Sequence, residues 1–132
     1  MSWDTTDLTN DTIYQEGTFG FLFTASGNIE RGQCVRFISD NAVTPSTVGC
    51  NGIGVCDNKV YHKDECCIYL CGNIVTVCSP ESISAGSLLY ASGNGFVSES
   101  RYSSERPIAM SIEPFSLSVT NNTGKVLLIW PL

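Results

Sequence analysis

The sequence predicts an all-β fold, a small compact barrel preceded by an extended N-terminal arm. Three observations carry this. Short segments rich in Val, Ile, Phe and Cys recur along the chain, separated by clusters of Gly, Asn, Ser and Pro, the residues that turns require. No segment keeps apolar residues at i, i+3, i+4 and i+7 for long enough to specify a helix. The second half of the chain also repeats the order of apolar and turn residues found in the first.

Taken in order, residues 1–17 form the arm, with four acids, no base and isolated large apolar residues at Trp3, Leu8, Ile13 and Tyr14. No period of 2 or 3.6 runs through it, and a purely solvated tail would seldom carry Trp, Ile and Tyr. Residues 18–132 are read as one barrel domain. Residues 18–25 are aromatic-rich and break at Ser26-Gly27-Asn28; residues 33–38 follow and stop at Ser39-Asp40-Asn41. Further strands are predicted over 52–56, 65–77, 87–91, 95–98, 108–112 and 125–130. Ser92-Gly93-Asn94-Gly95 and Asn121-Asn122-Thr123-Gly124 are read as turns between them.

A shift of 54 residues lays Ile29, Gly32 and Val35 over Ile83, Gly86 and Leu89, and Val43 over Val97. With one more residue inserted, Ile53-Gly54-Val55 falls on Ile108-Ala109-Met110, and residues 66–70 are matched to 126–130. The pseudo-repeats then span about 27–78 and 81–132. Gly32 and Gly86 suit the positive φ that a turn into a new strand demands. The small residues at 53–55 and 108–110 let neighbouring backbone pass closely.

Composition bounds the function. The chain has 132 residues with seven cations, 13 acids and a formal charge of −6. Seven scattered cations on an acidic chain argue against sequence-independent binding of nucleic acid. No apolar run approaches the roughly 18 residues of a membrane-spanning helix. The first 15 residues lack the basic and apolar blocks of an export signal, so the expected compartment is reducing.

In that setting the seven cysteines (34, 50, 56, 66, 67, 71 and 78) read chiefly as small buried hydrophobes. There is no CxxC pair, and on one regular strand Cys67 and Cys71 would share a face while Cys66 took the other, which splits a four-thiolate site. No metal or cofactor is expected. His62, the single histidine, is read as a solvated loop residue rather than the partner of a nucleophilic Cys66 or Cys67. No serine sits in a G-x-S-x-G elbow and no glycine run forms a phosphate cradle. Asp64 and Glu65 are adjacent and would point to opposite faces. An enzyme is not expected.

The order Ile29/Gly32/Val35, Ile53-Gly54-Val55, Gly72-Asn73-Ile74-Val75-Thr76-Val77, Ile83/Gly86/Leu89, Pro107-Ile108-Ala109 and residues 126–129 resembles the capsid decoration (head cement) proteins of tailed bacterial and archaeal viruses. The likeness runs from about Gly17 to Leu132. It departs in the abundance of Cys, the scarcity of Ala and the acidic arm. The resemblance implies a β-clip or β-tulip-like barrel and a non-catalytic virion protein. Such a protein assembles in the host cytoplasm and binds the outer surface of the major capsid protein shell. The expected form is a homotrimer at three-fold and quasi-three-fold sites. Trp3, Leu8, Ile13 and Tyr14 are then candidates for capsid contact, and Trp130 and Leu132 for contact between subunits, although Trp130 reads equally as core. The alternative is a carbohydrate-binding or other β-clip module, with Tyr90, Tyr102 and Trp130 as aromatic platforms.

Overall fold

The computed structural model describes residues 20–118 and 120–130. The arm residues Trp3, Leu8, Ile13 and Tyr14, and Leu132 at the other end, lie outside them. Eleven strands make up the described residues: β1 Gly20–Ala25, β2 Cys34–Ser39, β3 Ala42–Pro45, β4 Gly54–Cys56, β5 Glu65–Tyr69, β6 Ile74–Ser79, β7 Leu88–Ala91, β8 Val97–Ser98, β9 Ala109–Ser111, β10 Ser116–Leu117 and β11 Asn122–Leu128. The all-β prediction holds.

The strands form two units. β1, β3, β2, β4 and β5 close into a five-stranded barrel. β8, β7, β9 and β11 run in order through a curled second sheet, in which β10 and β6 also pair with β11. Four ladders of each unit match. β2 pairs with β3 and β4 as β7 pairs with β8 and β9, and β5 pairs with β4 and β1 as β11 pairs with β9 and β6. Bonds outside the ladders match as well. Gly32 donates its N–H to the Cys56 carbonyl at 3.0 Å, and Gly86 to that of Ser111 at 2.8 Å. Ile53 donates to Val35 at 2.9 Å, and Ile108 to Leu89 at 2.8 Å. Gly32 and Gly86 have φ of 88° and 84°, a conformation that costs a Cβ-bearing residue about 1 kcal/mol or more.

Several elements differ from the sequence reading. Residues 65–77 are not one strand: a turn at 70–73, with Gly72 at φ 91°, separates β5 in the barrel from β6 in the second sheet. The units therefore divide between β5 and β6, and each begins with a strand that pairs with its last. Asn122, Thr123 and Gly124 belong to β11, where Asn122 and Thr123 pair on both sides, with β10 and β6. β3 and β10 are additional strands. In the last strand Ile68, opposite Cys56, is equivalent to Val126, opposite Ser111, two residues away from the alignment made on sequence.

One difference between the units has an identifiable cause. β1 pairs with β3 in parallel through Thr24–Ala42 and Ala25–Val43, and the ladder is locked when Ser26 donates its N–H to the Val43 carbonyl at 2.7 Å. At the same 54-residue spacing the second unit has Pro80, which has no N–H to give. Among the described residues no ladder joins β6 to β8, and the second sheet stays open. A side chain spans the gap instead. Ser98 Oγ–H donates to Glu81 Oε2 at 2.9 Å, and the Glu99 N–H to Oε1 at 3.2 Å.

Two cores result. One fills the barrel, from Ala25, Ile29, Val35, Val43, Ile53, Cys56, Val60, Cys66 and Ile68. The other lies in the hollow of the second sheet, where Val75, Val77, Leu89, Ile108, Val126 and Leu128 pack with Cys34 and Val55 from the barrel wall. The closed unit thus plugs the open one. Burying aliphatic side chains of this kind contributes about 1.5–3 kcal/mol each relative to exposure.

Candidate interaction surfaces

Strands alternate their side chains, so the second sheet has an outer face opposite its core. In β6 the inward residues are Val75, Val77 and Ser79, and Ile74 and Thr76 are exposed outside. The registers place Ile74 opposite Leu127, Leu127 opposite Met110, and Met110 opposite Leu88. Four apolar side chains from four adjacent strands therefore form one row across the sheet. Ile74 and Leu88 are each 44% exposed and Met110 37%, with Leu127 half-buried between them.

A second apolar surface lies on the barrel. Phe21 and Phe23 of β1 alternate with Leu22, and Phe37 and Ile38 precede Ser39 at the end of β2. The Phe23 and Phe37 rings meet edge to face, with centroids 5.2 Å apart, a geometry that aromatic pairs favour. Phe21 lies opposite Ile68 and Phe37 opposite Val43, both core residues, so these phenylalanines face the lumen where it opens. Phe21, Leu22, Phe37 and Ile38 are all exposed. Phe21 and Phe37 sit at the mouth of the lumen, whereas Leu22, opposite Cys67, lies on the outer face of the barrel.

The residues singled out on sequence are spread over separate elements. Trp130 packs at the seam, touching both cores, with the Arg106 guanidinium 4.8 Å from its ring centroid. Tyr90 is half-buried on β7, and Tyr102 is 76% exposed in a loop. That loop is stapled by Glu105, whose carboxylate accepts the N–H groups of Tyr102 and Ser103 at 2.8 and 2.7 Å. Backbone N–H groups, its own first, hold the Glu105 carboxyl below its ordinary range.

His62 is exposed and already bonded: its Nδ1 accepts the Gly27 N–H at 2.8 Å, and its own N–H donates to Asn28 Oδ1 at 3.1 Å. It ties two turns together. Asp64 accepts the Tyr61 N–H at 3.1 Å within its own turn.

All seven cysteines are free thiols. Cys66 points into the barrel, Cys67 lies on the opposite face of β5, Cys71 sits in the turn after β5, and Cys78 is half-buried on β6. The sequence argument that put Cys67 and Cys71 on one face fails because Cys71 is not on the strand. Among the described residues no group of three or more His, Cys, Asp or Glu side chains is placed to hold a metal ion. Burial pushes the thiols of Cys34 and Cys56 up to about 12 and that of Cys67 to about 11, the direction of inert structural thiols.

Sequence reading missed the apolar row. Its signal was present: Leu88-Leu89 and Val126-Leu127-Leu128 are apolar at both parities, and a strand apolar on both faces is a strand expected to be covered on both.

Comparison with known proteins gives a likeness of fold. The chain is similar to the solved structure of the head fiber gp8.5 N base of bacteriophage phi29, with a TM-score of 0.63 at 11% identity. The match covers 84% of this chain and 93% of that one. No protein-family profile matches the sequence, and no curated protein matches it.

Proposed function

We propose that this chain is a virion structural protein of a tailed virus, a decoration protein that binds the outer surface of the major capsid protein shell and stabilises it. The observation that carries this reading is a fold likeness, spanning 84% of this chain and 93% of the other, to the N base of a phage head fiber. The exposed apolar row across the second sheet supports it, since contiguous exposed apolar patches mark interaction sites. In this reading the protein assembles in the host cytoplasm and sits as a homotrimer at three-fold and quasi-three-fold positions. Several weak contacts per trimer then add through avidity. Trp3, Leu8, Ile13 and Tyr14 supply capsid contacts from the arm, which orders on the shell at the cost of its conformational entropy. No catalysis and no cofactor are required. An acidic surface is compatible with a site facing solvent rather than packaged nucleic acid.

The test is co-sedimentation of the purified chain with expanded heads built from the cognate major capsid protein. Saturable binding, with a stoichiometry in multiples of three per site, is expected. Deleting residues 1–17 should leave the barrel folded and weaken binding at least tenfold. Heads that take up none of the full-length chain would overturn the reading.

A second reading, a carbohydrate-binding β-clip module, draws on the 76% exposure of Tyr102. It requires that Tyr102→Ala abolish retention on a glycan array while the melting temperature stays unchanged.

A further inference from the structure

We propose that residues 1–19 of this chain dock across the outer face of its own second sheet, over the row of Ile74, Leu127, Met110 and Leu88. The inference goes beyond the reading above, since it concerns where the arm lies before any shell is met.

The internal symmetry of the fold shows what the row is suited to. The positions equivalent to Ile74, Leu127, Met110 and Leu88 in the first unit are Gly20, Tyr69, Val55 and Cys34, joined by the corresponding registers. In the first unit the chain itself covers them. Val55 and Cys34 are 1% and 0% exposed, and Tyr69 packs beside them against the core of the second sheet. In the second unit the described residues leave the row open. Ile112, which follows β9 and donates its N–H to the Lys125 carbonyl at 3.1 Å, extends the same apolar face and is exposed too.

The place where the arm joins the barrel points to the occupant. β1 begins at Gly20, opposite Tyr69, the last residue of β5. Residues 70–73 then turn into Ile74, the first residue of β6 and one end of the row. Gly72 in that turn donates its N–H to the carbonyl of Leu128 at 2.8 Å, next to Leu127. The arm therefore joins the barrel beside the turn that carries the chain into the row. At about 4.8 Å between strands the row spans roughly 15 Å. Residues 1–19 reach about 60 Å when extended, enough to pass the turn and cross the row.

Charge agrees. The arm combines Trp3, Leu8, Ile13 and Tyr14 with Asp4, Asp7, Asp11 and Glu16, and it has no base. Among the described residues Lys125 is the one charged side chain at the outer positions of β6, β7, β9 and β11. It is exposed two residues from Leu127 on the same face, opposite Thr76. An acidic, apolar segment thus meets a cation beside the row and no like charge on these strands. Glu113 lies close by but is turned to the backbone, its carboxylate accepting the Lys125 N–H at 3.0 Å.

Ordering the arm costs conformational entropy, so the contact is weak and reversible. Tethering offsets this, because a short linker holds the arm at an effective concentration on the order of millimolar. In the decoration reading, binding to the shell is then an exchange of partners that frees the row together with the arm.

The test is oxidation of Met110 by hydrogen peroxide, read by peptide mass spectrometry. Its side chain stands in the middle of the row and is 37% exposed without the arm. The full-length chain is compared with a full-length variant carrying Trp3→Ser, Leu8→Ser, Ile13→Ser and Tyr14→Ser. Met110 sulfoxide is expected to form at least about threefold more slowly in the wild-type chain, where the thioether is covered, with the ratio unchanged on dilution. A second measurement locates the arm directly: Leu8→p-benzoylphenylalanine is irradiated and the crosslinked peptides are mapped. Crosslinks are expected to peptides containing Ile74, Leu88, Met110 or Leu127, in a product of monomer mass. Equal oxidation rates, protection that fades on dilution, or crosslinks that fall elsewhere or only between chains would overturn the inference. Equal rates in a chain that still saturates heads would overturn it and leave the decoration reading standing. A protected Met110 in a chain that ignores heads would do the reverse.

Discussion

Ser26 and Val43 are joined by a 2.7 Å backbone hydrogen bond that locks β1 onto β3 and completes the closed barrel. The equivalent residue in the other unit is Pro80, and there the seam stays open. A single missing donor thus separates two otherwise matching ladders into a closed barrel and an open sheet, and the open one is free to receive the other.

Ser26→Pro should import the open seam into the barrel. It removes the donor and leaves the carbonyl of fully buried Val43 without this partner, a loss of about 1–3 kcal/mol. Urea unfolding should show the drop. Pro80→Ser, which adds a donor where no acceptor strand is engaged, should stay within about 0.5 kcal/mol of wild type.

Gly54 passes directly over β5. A Cβ there would fall on the Tyr69 carbonyl oxygen and against the side chains of Ile68 and Leu70. Because the obstacle is backbone, it cannot rotate away. Gly54→Ala should destabilise by about 1–3 kcal/mol through overpacking, measured as a fall in the denaturation midpoint with an unchanged slope. Ala109 already occupies the equivalent place, so the second unit accommodates the Cβ that Gly54 cannot.

Glu81 does by side chain what strand pairing does in the barrel. Glu81→Ala removes the acceptor of both Ser98 Oγ–H and the Glu99 N–H, and should cost about 1 kcal/mol at this partly exposed site. The specific sign is faster hydrogen exchange at the Glu99 amide, with the amides of β1 and β5 unaffected.

The buried thiols make stability fall in alkali. In the unfolded chain Cys34 and Cys56 ionise at about their ordinary 9.0, whereas burial first of all pushes both up to about 12 in the fold. Below pH 9 both states hold the protons and the contribution is complete. As pH rises from 9 towards 12 only the unfolded state releases them, and stability declines. Cys34→Ala/Cys56→Ala should flatten that slope in pH-dependent unfolding. At pH 8 a thiol-alkylating reagent should modify Cys34 and Cys56 only after denaturation.

What the sequence disclosed, and what it hid, follows from how local each cause is. The turns at Gly32 and Gly86 were legible because a positive φ is a property of one residue and its neighbours. The break between β5 and β6 was hidden because the turn at 70–73 contains Leu70 and Cys71, apolar enough to continue a strand; a single Gly did not outweigh them. The start of β11 was hidden for the opposite reason, since Asn122, Thr123 and Gly124 have turn chemistry and are held extended by strands on both sides. Of the apolar row the sequence shows only that Leu88-Leu89 and Val126-Leu127-Leu128 are apolar at both parities; that these residues line up depends on three registers between strands far apart in the chain. The role of Pro80 needed both the internal equivalence and the knowledge that Ser26 spends its N–H on Val43.

The unequal closure of the two units also gives folding a direction. Residues 20–69 carry a core of their own, sealed by a ladder that needs nothing from the rest of the chain. The second sheet has no such autonomy, since its hollow is filled only when Cys34 and Val55 arrive from the barrel wall. During synthesis the N-terminal unit is therefore expected to form first, and the later strands to wrap onto its wall, which shortens the exposure of a hollow that would otherwise invite aggregation.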